Sequence, residues 1–138
     1  MWQHASLTQA VPVLEVTDVA ASMAWYREVL GFIADPFPQS PPFEFAILRH
    51  RGTEIMLRRG TPRLGPGPRP YRWDVYLRLT GGRLREVYAE LSRRQLVTRR
   101  LERMVYGLAE FEVTDPDGYV FCLSEELVDS RDLPAPEA

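Results

Sequence analysis

Residues 44–57, EFAILRHRGTEIML, recur 66 positions on as EFEVTDPDGYVFCL at 110–123 with no gap. Glu44 falls on Glu110, Phe45 on Phe111, Ile47 on Val113, Gly52 on Gly118 and Leu57 on Leu123. Each copy is two short runs joined by a turn, Arg51-Gly52 in one and Asp115 to Gly118 in the other, the pattern of a β-hairpin. The chain is one unit used twice.

Ahead of the first hairpin, VPVLEVT (11–17) alternates around β-branched residues as a strand does and ends at Asp18, a suitable helix N-cap. Met23, Tyr26 and Leu30 then recur at helical spacing until Gly31 stops the helix. A short strand near Phe32 to Ala34 precedes PFPQSPP, whose prolines predict a loop, and hairpin strands over 43–49 and 53–58 complete a βαβββ order. The second unit repeats it. DVYLRLT (74–80) reads as a strand, Leu84, Val87, Tyr88 and Leu91 as one face of a helix, and Leu96 to Leu101 as a strand before the second hairpin. The expected organisation is an N-terminal arm (1–10), a first module (11–59), a Pro/Gly-rich linker (60–72), a second module (73–126) and a flexible tail (127–138), in one compact domain.

At 138 residues, with 45% apolar and 26% charged residues, the chain has the size and composition of a single globular domain. No apolar run approaches the ~20 residues that span a bilayer, and MWQHASLTQA lacks the marks of a signal peptide, so no membrane partner is expected and the cytoplasm is the expected location. The single cysteine, Cys122, agrees with a reducing compartment. A net charge of −2 argues against nucleic acid as a partner. Seven arginines between Arg83 and Arg103 face three glutamates; spread over a helix and the next strand, they read as a solvated face.

Strand periodicity sorts the side chains. Phe45, Ile47, Ile55, Leu57, Phe111, Val113, Phe121 and Leu123, with Leu14, Val16, Leu77 and Leu79, form the face expected to pack on the helices. The opposite face carries Val11, Val13, Glu15, Ala46, Leu48, Met56, Arg58, Asp74, Tyr76, Arg78, Glu112, Val120, Cys122 and Ser124. That mixture suits a ligand-lining surface better than open solvent.

AVPVLEVTDVAASMAWYREVLGF at the front and YGLAEFEVTDPDGYVFCLSEE at the back resemble the vicinal-oxygen-chelate superfamily of glyoxalase I, extradiol dioxygenases and bleomycin resistance proteins, and most closely the bleomycin resistance branch. The resemblance implies an α+β fold in which two tandem βαβββ modules form an open, curved, eight-stranded barrel-like sheet with helices outside. It also implies a homodimer, with possible exchange of the N-terminal arm. Metal-dependent relatives place ligands on the first and last strands of each module. Those places hold Val11 and Met56 in one module and Asp74 and Cys122 in the other, too few donors for a divalent ion, and His4 and His50 stand apart. No metal and no cofactor are therefore expected.

Three readings follow. The leading one is a metal-free protein that binds a small aromatic or cationic, antibiotic-like compound through Val13, Glu15, Phe43, Met56, Arg58, Asp74, Tyr76, Arg78, Tyr106, Glu112 and Cys122, with Trp73 also near the rim. The second is an enzyme of the same fold, a lyase, isomerase or dioxygenase; without a metal it would work through Glu15, Glu112 or Tyr76 as acid or base. No catalytic residue is assigned. The third is a protein-binding module whose cavity is filled by its own side chains.

Overall fold

A computed structural model describes residues 1–62, 69–127 and 129–136. The middle of the expected linker (63–68) and residues 128, 137 and 138 of the expected tail lie outside the described residues. The chain divides into two compact units, one ending at Arg63 and the other beginning at Leu64.

The first unit runs β1 (Val13–Val16), α1 (Val19–Leu30), β2 (Ile33–Phe37), β3 (Phe45–His50) and β4 (Thr53–Arg59), with sheet order β1-β4-β3-β2 and β1 parallel to β4. Asp18 caps α1 by accepting from Ala21 N–H at 3.0 Å. Gly31 ends the helix in the left-handed region at φ 73°, which glycine adopts without strain. Tyr26, Val19, Met23 and Phe32 pack with Leu14, Val16, Ala46, Leu48, Ile55 and Leu57 as the core.

Two expectations are corrected here. β2 runs on through Pro36 and Phe37 into the segment expected to be a loop, which proline permits because β2 pairs only with β3 and lies at the sheet edge. The faces of β3 are also exchanged. Ala46 pairs with Leu57 and Leu48 with Ile55, so Ala46 and Leu48 are buried under α1, while Phe45 and Ile47 lie on the other face opposite Arg58 and Met56. The cause is hairpin length. Six residues separate Leu48 from its partner Ile55, but seven separate Val113 from Phe121. The two copies therefore match without a gap in the strand after the turn and are offset by one residue in the strand before it, and a one-residue slip reverses every side chain.

The second unit runs β5 (Val75–Arg78), α2 (Leu84–Arg93), β6 (Val97–Arg103), β7 (Ala109–Thr114) and β8 (Val120–Glu125), ordered β5-β8-β7-β6 with β5 parallel to β8. Among the described residues the eight strands form two four-stranded sheets, one in each of the two tandem βαβββ modules of an α+β fold. Arg83 makes no side-chain cap for α2; Glu125, at the end of β8, accepts from Gly82 N–H (2.7 Å) and Leu84 N–H (3.1 Å) instead. The β7–β8 turn is closed by Asp115, whose Oδ1 accepts from Asp117 and Tyr119 N–H, with Gly118 at φ 95°. Phe111, Val113, Phe121 and Leu123 bury against Leu84, Leu91 and Tyr88, as the periodicity predicts. Within the expected tail, Arg85 pairs with Asp132 at 2.9 Å and Arg103 N–H donates to Pro134 O at 2.9 Å.

Candidate functional site

The face of the second sheet turned away from α2 carries charge where a core would carry hydrocarbon. Register places Tyr76, Cys122, Glu112 and Arg99 in one row across β5, β8, β7 and β6, and Arg78, Ser124, Glu110 and Glu102 in the next. Arg99 and Glu102 are three residues apart and share this face because β6 slips register twice, between Val97 and Arg99 and between Arg99 and Glu102. The slips turn Leu101 into the core and Arg99 out of the solvated arginine face expected for it, leaving its side chain only 5% exposed.

Arg99 is the centre of the network. Its Nε donates to Glu112 at 2.6 Å, Nη1 to Glu102 at 2.7 Å and Nη2 to Glu110 at 3.2 Å, and all three carboxylates are buried. Each glutamate also holds aromatic donors. Tyr71 O–H reaches Glu102 at 2.7 Å, Trp73 Nε1 reaches Glu112 at 2.9 Å, and Tyr76 (2.6 Å) and Tyr106 O–H both donate to the same oxygen of Glu110. Burial works against the charge on Arg99, but Glu112 and Glu102 raise its affinity for its proton above the ordinary value. Burial likewise disfavours ionised Glu102, yet hydrogen bonds from Tyr71 and Arg99 hold it below the usual carboxylate range. Burial and Glu110 push Tyr76 up to about 12 and raise Tyr106 as well. One guanidinium against three carboxylates leaves the interior acidic, with half-exposed Arg100 3.4 Å from Glu102 at its edge.

Six of the expected ligand contacts fall in this unit. Tyr76, Tyr106, Glu112 and Cys122 belong to the network or touch it, and the Trp73 and Tyr76 rings are 4.8 Å apart. Arg78 lies over the Tyr76 ring at 5.3 Å. Asp74 stands apart, its Oδ2 accepting from Arg69 at 2.5 Å and from Val120 N–H at 2.8 Å. Cys122 is fully buried, and burial pushes its thiol up. The other five fall in the first unit. Val13 pairs with Met56, and Glu15 with Arg58 through a 3.0 Å ion pair, on the face away from α1; Phe43 is half-buried just before β3. Ile47, Phe45 and Phe37 share that first-sheet face, and the two phenylalanine rings are 6.3 Å apart.

Sequence reasoning missed Arg99, Glu102, Glu110 and Tyr71. Glu110 was within reach, because it lies two residues from Glu112 on one strand and must share its face. Arg99 was not, because nothing local marks the slips in β6.

These residues do not fit a divalent ion. Among the described residues no three His, Cys, Asp or Glu side chains are grouped to hold one, and a guanidinium already fills the centre of the three glutamates. Among the described residues no helix is long and apolar enough to cross a membrane.

Residues 7–123 match the Glyoxalase/Bleomycin resistance protein/Dioxygenase superfamily, and the chain belongs to it. Solved structures agree on the fold. The chain is similar to TioX from Micromonospora sp. ML1 at 20% identity and a TM-score of 0.66, covering 89% of this chain and 99% of that one. The genomically encoded fosfomycin resistance protein FosX from Listeria monocytogenes gives 13% identity and 0.68, with coverage of 90% and 97%. A superfamily member from Sphaerobacter thermophilus DSM 20745 gives 24% identity and 0.64, with coverage of 86% and 98%. No curated protein sequence matches the chain significantly.

Proposed function

We propose that the protein binds a small, flat, cationic compound without a metal, through the aromatic rim of its second module. One observation carries this reading: Tyr71, Trp73 and Tyr106 are 40%, 40% and 51% exposed, yet each is tied by a hydrogen bond to a buried carboxylate. The donors these rings supply mark the buried carboxylates as acceptors for a flat ligand with N–H or O–H groups of its own, and the acidic interior favours positive charge.

The reading is preferred to acid–base catalysis because the available groups are committed. Glu112 accepts from Tyr71 N–H, Trp73 Nε1 and Arg99 Nε, and Tyr76 at about 12 is far from the neutral range in which a general acid works well. The filled face of the second sheet also suits a protein-binding module with no ligand of its own. Calorimetric titration separates the two. Stoichiometric binding of proflavine, a flat aromatic diamine cation, and none of the flat anion naphthalene-2-sulfonate supports small-molecule binding; indifference to both supports the module.

A further inference from the structure

The six residues leading into β5, Arg69 to Asp74, lie on the second sheet through polar latches. Tyr71 N–H donates to both oxygens of Glu112 at 3.2 and 3.1 Å, Tyr71 O–H to Glu102, and Trp73 Nε1 to Glu112. Arg69 Nη2 reaches Gly118 O at 3.2 Å, and Asp74 N–H donates to Val120 O at 2.9 Å. The Tyr71 ring lies over the Arg99 guanidinium, 4.2 Å from ring centre to carbon.

Two features oppose this position. Tyr71 sits at φ 65°, the left-handed region that strains a residue with a Cβ, and Arg69 Nε is buried with no hydrogen-bond partner among the described residues. A segment held by hydrogen bonds, with both of its rings 40% exposed and its own backbone strained, opens more readily than the strands beneath it.

We propose that residues 69–74 are a displaceable strap, and that the ligand of the binding reading above, on which this rests, takes the strap's place on Glu102 and Glu112. When the strap lifts, two buried carboxylates lose a backbone N–H, a phenol O–H and an indole N–H, and Arg99 loses the ring over its face. The occupant must return all of these. That specifies a flat aromatic ring bearing several N–H or O–H donors and positive charge, and it disfavours both a bare hydrocarbon and an anion.

Hydrogen exchange on the unliganded protein tests the strap alone. The Tyr71 amide should exchange about 100-fold faster than the β7 and β8 amides, at a rate insensitive to low denaturant. Exchange of Tyr71 together with those strands, through global unfolding, overturns the proposal. The Tyr71→Phe variant keeps the ring and removes the latch to Glu102, so Tyr71-position exchange should quicken about tenfold and proflavine should bind more tightly by a similar factor. Proflavine binding to wild type with unchanged strap exchange and no gain in the variant overturns the strap and leaves the binding reading standing. An opening strap with no proflavine bound by either protein overturns the replacement step and the binding reading with it.

Discussion

The Arg99 guanidinium carbon lies over the Tyr71 ring, 4.2 Å from its centre, while its nitrogens reach three buried glutamates. One side chain from β6 thereby joins the strands to the segment that covers them. This ordering depends on a planar, five-donor cation, which lysine cannot imitate.

Arg99→Met strands three carboxylates in the interior and should cost about 3–5 kcal/mol in urea unfolding. Arg99→Lys keeps the charge but cannot reach all three partners, and its loss should be intermediate. Equal stability of Arg99→Met and wild type would show that the network is not coupled to the fold.

Leu48 and Ile47 are neighbours in β3 with opposite environments. Leu48→Ala removes a fully buried side chain opposite Ile55 and should cost about 2–5 kcal/mol, whereas Ile47→Ala acts on the half-exposed face and should cost roughly 1 kcal/mol or less. The ungapped repeat predicts the reverse order, so one pair of unfolding curves decides the register.

Glu102 is held below its ordinary 4.5 by Tyr71 and Arg99 in spite of burial. A depressed carboxylate stabilises the fold above its unfolded value, and that contribution fades as pH falls through the lower folded value. Stability of wild type should therefore fall on acidification below pH 4.5 more steeply than that of Glu102→Gln, which starts lower at neutrality. Parallel pH profiles would remove Glu102 from the account.

At alkaline pH the tyrosines report on the same cluster. Tyr76 rises from 10.0 to about 12, and Tyr106 also rises, each through burial and its bond to Glu110. A raised phenol favours the fold fully below 10, and the advantage disappears as pH climbs through the folded value. Ultraviolet titration should find at least two of the six tyrosines still protonated at about pH 11 in the native protein, and all ionised once it unfolds.

Much of the fold was legible because its signals are local. Asp18 before a helical period, Gly31 after it, and the DPDG turn each dictate their own geometry, and the repeated segment announced the second module. Register was less legible. The one-residue difference in loop length that reverses Phe45 and Ala46 is set by pairing across the hairpin, and β3 carries apolar residues on both faces. The site was half legible for the same reason. Tyr76, Glu112 and Cys122 follow from period two, but Arg99 and Glu102 reach the same face only through bulges in β6, and Tyr71 arrives from a stretch whose composition reads as linker.

Native mass spectrometry with metal analysis, on protein purified from its host, tests the central claim most directly. The account predicts chains carrying one organic cation each and substoichiometric metal, with the ligand lost when Glu102 and Glu112 are replaced by glutamine. One equivalent of zinc, nickel, iron or manganese per chain, held by side chains and needed for activity, would contradict it.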